Sequence, residues 1–136
     1  MQGQYQVVAF KTLGDERGSL IAIENGYNTP FEIKRVYYIF DTQPGVQRGF
    51  HAHIALKQIA IAVKGRCTFV MDDGVMRTEV TLDNPNQGLM IEGLIWREMK
   101  DFSPDCVLLV LASEHYNESD YIRNYDDFLD KARTIN

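Results

Sequence analysis

The chain has no excess of positive charge: 14 Lys and Arg stand against 19 Asp and Glu, a formal net charge of −5 over 136 residues. Nonspecific nucleic-acid binding needs a basic surplus to neutralise phosphates, so that class is not expected; the balance still leaves room for a local basic pocket for one small anion. No apolar run approaches the roughly 18 residues of a membrane span, and no charged-then-apolar leader opens the sequence. Cysteine is scarce. Cys67 and Cys106 both fall in apolar, strand-like runs, which predicts buried free thiols rather than a disulfide and a cytoplasmic setting. No linker, repeat or low-complexity tract interrupts the chain. A single domain over 1–136 is expected, long enough to bury roughly two-thirds of its unfolded surface.

What is present is a series of short apolar runs separated by turn residues. Strands are expected over 18–24, 33–40, 59–63, 67–71, 79–82, 88–91 and 106–112. Asp72-Asp73-Gly74 carries the Asp-Gly signal of a hairpin turn. The continuous run Cys106-Val-Leu-Leu-Val-Leu-Ala112 predicts a strand buried on both faces. Many short strands at close spacing predict an all-β jelly roll or barrel. Near the C-terminus the period changes. Tyr121, Ile122, Tyr125, Phe128, Leu129 and Ala132 recur at helical spacing, predicting an amphipathic α-helix over about 118–133, capped by Asn117 or Ser119 and packed on the barrel.

Histidine is scarce too, and its placement is the most informative feature. Two of the three histidines, His51 and His53, lie two apart in Arg48-Gly49-Phe50-His51-Ala52-His53. On a strand both imidazoles project to one face, about 7 Å apart along the chain. They are either solvated surface groups or a shared site of metal ligands or acid–base groups. Arg35 and Tyr37 share parity on another strand. Facing the lumen, they would meet the histidines, with Tyr37 either catalytic or a hydrogen-bonded core residue. An arginine inside a barrel needs an anion. Arg17, Arg35, Arg48, Lys57, Arg97 and Arg123 are candidates to line an anion pocket. Ala60 and Ala62 share parity with Gln58 and would leave room for a ligand. Trp96 offers a flat surface for a sugar or base, or a hydrophobic anchor.

His51-x-His53, four residues, Gln58, six residues and Gly65 resemble the first motif of a metal-binding cupin with Gln58 in place of its glutamate. Arg97 stands where the second motif supplies a histidine. Glutamine is a weak neutral ligand, and protonated arginine cannot coordinate a cation. The resemblance therefore implies a cupin double-stranded β-helix with neither metal nor other cofactor, its histidines free to move protons.

Longer motifs sharpen this. Arg17-Gly18-Ser19-Leu20, Pro30-Phe31-Glu32-Ile33-Lys34-Arg35-Val36-Tyr37-Tyr38-Ile39, Arg48-to-His53, Trp96-Arg97-Glu98-Met99 and Asp120-Tyr121-Ile122-Arg123-Asn124-Tyr125 resemble the sugar-nucleotide 3,4-ketoisomerases that act on dTDP-4-keto-6-deoxyglucose. The resemblance spans nearly the whole chain. It implies a metal-free isomerase and a homodimer with exchanged N-terminal strands. It also implies a role in making 3-amino-3,6-dideoxyhexoses for surface glycans such as the O-antigen of lipopolysaccharide. Carried onto these residues, it implies His51, His53 and Tyr37 as catalytic groups. Arg17, Arg35, Arg48, Lys57, Gln58, Trp96, Arg97 and Arg123 are the expected substrate-binding set. Members making the galacto product tend to have Arg at position 17 and His at 97, those making the gluco product Tyr and Arg. Arg17 with Arg97 is one mark from each side, and the gluco product is favoured on Arg97. The rival readings are a 3,5-epimerase on the same substrate and a noncatalytic sugar-nucleotide-binding cupin.

Overall fold

Alternation of apolar and polar residues builds two facing antiparallel sheets, each apolar toward the other. The computed structural model describes residues 2–135. In chain order the strands are β1 (Gln4–Ala9), β2 (Leu13–Asp15), β3 (Gly18–Leu20), β4 (Arg35–Ile39), β5 (Arg48–His53), β6 (Gln58–Lys64), β7 (Cys67–Asp72), β8 (Arg77–Leu82), β9 (Gln87–Glu92), β10 (Trp96–Lys100), β11 (Val107–Ala112) and β12 (Tyr121–Ile122), followed by helix α1 (Tyr125–Ile135). One sheet runs β1-β9-β6-β11-β4, the other β12-β5-β10-β7-β8, and β2-β3 form a separate hairpin. This is the expected jelly-roll barrel with one short C-terminal helix.

Three apolar clusters hold it together. Between the sheets lie Ala60, Ala62, Phe69, Leu82, Leu89, Ile91 and Leu108 among others. The outer face of the first sheet, including Ile59, Ile61 and Leu111, is covered by Phe10 and by Ile21, Ile23, Phe31 and Ile33 of the long connection before β4. The outer face of the second carries Ala52, Leu94 and Trp96 beneath Phe128 and Ala132 of α1. Each fully buried Leu or Phe contributes about 1.5–3 kcal/mol.

Several expectations are corrected. The helix begins at Tyr125 rather than near 118, because Tyr121 and Ile122 pair as β12 with His53 and Ala52 of β5. Asn117 caps only a 3₁₀ turn, its Oδ1 accepting from the Ser119 N–H at 3.1 Å, while Asn124 Oδ1 accepts from the Asp127 N–H at 3.0 Å. The strand expected over 18–24 stops at Leu20, and residues 21–24 cover the sheet instead. Strand β1, which no apolar run marked, adds to the edge of the first sheet through β9. The 72–74 hairpin turn is present: Gly74 has φ 98°, and Asp73 accepts from the N–H groups of Val75 and Met76 at 2.9 Å.

Candidate active site

Two strands deliver the histidines and the buried arginine. On β5, Phe50 is an extra residue: His51 pairs with Arg97 and Gly49 with Glu98 of β10, a β-bulge. Gly49 and Phe50 both have positive φ, 89° and 59°, and a Cβ on Gly49 would meet the Arg97 carbonyl oxygen at 2.9 Å. Glycine is required there twice over. The bulge turns Arg48, whose partner is Met99, onto the same inward face as His51. That is why these two residues, three apart, line one cavity.

The imidazoles converge at one end of the lumen, His51 and His53 having ring centroids 4.8 Å apart. Tyr121 of β12 packs on both, at 5.1 Å from His51 and 4.3 Å from His53. Behind them Arg97 is 1% exposed. Its Nη1 donates to Gln58 Oε1 at 2.7 Å, while Nε and Nη2 donate to the Ile95 carbonyl at 3.3 and 3.0 Å. Gln58 Nε2 donates to the Tyr37 hydroxyl oxygen at 3.0 Å. Among the described residues Arg97 forms no ion pair. These residues do not make a cation site, because a guanidinium already occupies the Gln58 oxygen.

Electrostatics keeps both imidazoles neutral. Burial, and then the charge of Arg97, push His51 down to about 4 and His53 to about 2. Burial also lowers Arg97, to about 10, which leaves it charged at neutral pH. Burial raises the Tyr37 phenol, and the Gln58 hydrogen bond opposes that rise. Neutral imidazoles keep a lone pair for a proton, burial and Arg97 make them weaker bases than free histidine, and the cation favours an anion forming next to them.

Two cavities open here, of about 560 and 410 Å³, in the range of small-molecule sites. The larger is lined by His51, Tyr37 and Arg48, the smaller by His53 and Asp120. Arg35 and Tyr121 line both. Arg123 borders the larger cavity but is held by Glu118, at 2.6 Å from Nε. Glu118 is in turn pulled down to about 2 by that arginine and by Tyr116.

Three expected members lie elsewhere. Trp96 is adjacent to Arg97 on β10 and so points to the opposite face. It is buried under α1, 5.2 Å from the Tyr125 ring, with Nε1 donating to Glu98 at 2.9 Å, and has no face free for a sugar. Lys57 precedes β6 and approaches Glu92 at 3.9 Å rather than entering either cavity. Arg17 sits at the tip of the β2-β3 hairpin, 85% exposed and paired with Asp15. Conversely, Asp120 and Tyr121 received no role from the sequence. Asp120 Oδ2 lies 3.3 Å from His53 Nδ1, although neither ring nitrogen of His53 completes a hydrogen bond among the described residues. Asp120 is itself held by the N–H groups of Ala55 and Leu56, at 2.8 and 3.2 Å. The readable signal was Asn124, a better helix cap than Asn117, which frees Tyr121 from the helix.

Comparison with known proteins gives one answer. The family model described as "FdtA: WxcM-like, C-terminal" matches residues 3–133. A TDP-4-oxo-6-deoxy-alpha-D-glucose-3,4-oxoisomerase of Aneurinibacillus thermoaerophilus is 52% identical over 131 residues, 96% of this chain and 94% of that protein. A 3,4-ketoisomerase from Helicobacter canadensis superposes with TM-score 0.92 at 50% identity, over 95% of this chain and 97% of that one. The sugar 3,4-ketoisomerase QdtA from Thermoanaerobacterium thermosaccharolyticum, solved in complex with TDP, superposes with TM-score 0.94 at 43% identity over 96% of each chain.

Proposed function

The chain belongs to the sugar 3,4-ketoisomerases of the cupin fold, and on that premise we propose that it converts dTDP-4-keto-6-deoxyglucose to dTDP-3-keto-6-deoxyglucose by histidine-mediated proton transfer through an enediol. The observation that carries the reading is the pair of neutral imidazoles set 4.8 Å apart beside a buried, charged Arg97.

The chemistry follows from the ketone. The C4 carbonyl acidifies the C3 proton. His51 takes that proton, the C3–H electron pair becomes the C3=C4 bond, and the C4 oxygen gains a proton to complete the enediol. The C3 hydroxyl then loses its proton, its electrons form the C3 carbonyl, and C4 is reprotonated. General acid–base help supplies about 10²–10⁴-fold, so a donor to the C4 oxygen is also required. Tyr37 lines the same cavity as His51 and fills that role. His53, whose Nδ1 lies 3.3 Å from Asp120 Oδ2, is the second proton-transfer group. Arg35, Arg48 and Arg123, which border the cavities, meet the diphosphate, and its binding energy is spent on positioning.

The gluco outcome rests on Arg97. A permanent cation does not relay protons at neutral pH, so reprotonation of C4 falls to a donor on the far face of the ring, Tyr37 or His53. Proton NMR of the product trapped by a 3-transaminase decides it: a large H3–H4 coupling is the gluco arrangement, a small one galacto. The same incubation tests the activity itself. A 3-amino sugar nucleotide is the expected product. No turnover with dTDP binding intact would sink the reading, and solvent deuterium at C5 would mark an epimerase.

The working unit is a homodimer that exchanges its N-terminal strands, in the cytoplasm. In support, Leu13 and Leu20 of the hairpin and Val36, Tyr38 and Phe40 of β4 and its end are large apolar residues at 48–60% exposure. The exchange is also how Arg17, on the same hairpin, reaches a sugar nucleotide. A monomer by sedimentation would overturn it.

A further inference from the structure

The hydrogen bonds behind His51 have a direction. Arginine has donors only, so the Gln58 atom facing Arg97 at 2.7 Å must be the amide oxygen. The Gln58 amide nitrogen then faces Tyr37 at 3.0 Å and donates. The Tyr37 oxygen therefore accepts, and its own hydrogen has to point away from Gln58. Tyr37 lines the 560 Å³ cavity that His51 also lines. A glutamine alone would not fix this order, since a half-turn of its amide would let its oxygen take the Tyr37 hydrogen. The buried guanidinium forbids the turn, because it would set an amide N–H₂ against a cation with no acceptor between them. Small neighbours let the chain cross the sheet: Gln58 pairs with Ala112, and Val110 pairs with both Ala60 and Tyr37.

We propose that Gln58 and Arg97 are positioning residues whose fixed donor order aims the Tyr37 hydroxyl hydrogen into the cavity, at the oxygen that gains charge as the enediol forms. This rests on the ketoisomerase reading and gives Arg97 a role without substrate contact, in keeping with its 1% exposure. An accepted hydrogen bond also makes the phenol a stronger donor.

Gln58→Glu tests it. The replacement is near in shape and pairs with Arg97, but a carboxylate only accepts, so the Tyr37 hydroxyl must turn and donate to it. With chelator present, because Glu at this position beside two histidines invites a cation, kcat should fall about 100-fold while KM stays within about twofold of wild type. On a Tyr37→Phe background the same change should cost less than about threefold. Without substrate, the Raman tyrosine doublet of Tyr37, isolated as a difference against Tyr37→Phe, should move toward the hydrogen-bond-donor pattern in Gln58→Glu. A kcat within about threefold of wild type, equal losses on both backgrounds, or an unmoved doublet would each overturn the relay. If no sugar nucleotide turns over, the ketoisomerase reading fails while the doublet still decides the relay.

Discussion

The same strands line both ends of the lumen and fill them with opposite chemistry. β6 brings Gln58 to one end and Ala62 toward the other, β11 brings Ala112 and then Leu108, and β7 brings Met71 and then Cys67. At the far end Cys67, Leu82 and Leu108 are fully buried within the apolar cluster between the sheets. Burial there raises both thiols, so Cys67 and Cys106 stay protonated. At the near end His51 Nδ1, both His53 nitrogens and Arg35 Nε are buried with no partner among the described residues. An orphaned buried polar group costs about 1–3 kcal/mol. One end thus stabilises the barrel while the other gives up stability that a ligand can return.

The largest effect expected from breaking this division is on rate. His51→Asn should lower kcat by about 10³-fold or more with dTDP affinity near wild type, measured by isothermal titration. If His53→Asn is crippling and His51→Asn mild, the roles of the two histidines are exchanged. The apolar end should respond the other way. Leu108→Ala should cost about 2–5 kcal/mol of stability in urea unfolding and leave the kcat of the folded fraction unchanged. A comparable loss of kcat would mean that the two ends are coupled.

How much of this division is legible in the sequence depends on whether the strand period holds. Parity alone places His51 with His53, and Arg35 with Tyr37, because those stretches of strand are regular. It also separates Trp96 from Arg97, neighbours on one strand that cannot share a cavity, so the stacking role expected for Trp96 conflicted with the role given to Arg97. Parity fails at Phe50, where one inserted residue turns Arg48 inward. The only sequence trace of that insertion is Gly49 before an aromatic. Tyr121 was assigned to a helix because its spacing fits one, but β5 offers an open edge and two residues suffice to pair with it. Strand β1 was invisible because its burial is weak and divided between its two faces, Tyr5 packing between the sheets and Val8 on the outer face, and its place is fixed by pairing with β9, distant along the chain.

The two low histidine values sharpen the comparison by pH. Their ordinary value is 6.5, and in the fold they lie at about 4 and about 2. Between the folded and unfolded values the unfolded chain binds protons that the folded chain refuses, so stability falls as pH drops below about 6.5. The slope is at most about 1.4 kcal/mol per pH unit per histidine. Urea midpoints at pH 7 and pH 5 should differ in the wild type, and the difference should shrink in the His51→Asn, His53→Asn double variant. Equal differences in both would show that the buried imidazoles do not set the acid sensitivity. Cys67→Ala, at the apolar end, should leave the slope as it is.

The smallest effect belongs to the outside of β10. Trp96 is wedged against Tyr125 and Phe128 of α1 and donates to Glu98, while Arg77 bridges Glu98 and Asp72 at 3.3 and 3.1 Å. This face anchors the helix and touches neither cavity. Trp96→Phe keeps most of the packing and removes one hydrogen bond to a partly buried carboxylate, worth about 1–2 kcal/mol. The expected outcome is that modest loss in urea unfolding, with KM and kcat for the sugar nucleotide within about twofold of wild type. Had the indole stacked on a sugar or base, KM would rise by tenfold or more, since stacking is worth about 1–3 kcal/mol. A tenfold rise without loss of stability would return Trp96 to the site and put the parity of β10, and with it the inward position of Arg97, in question.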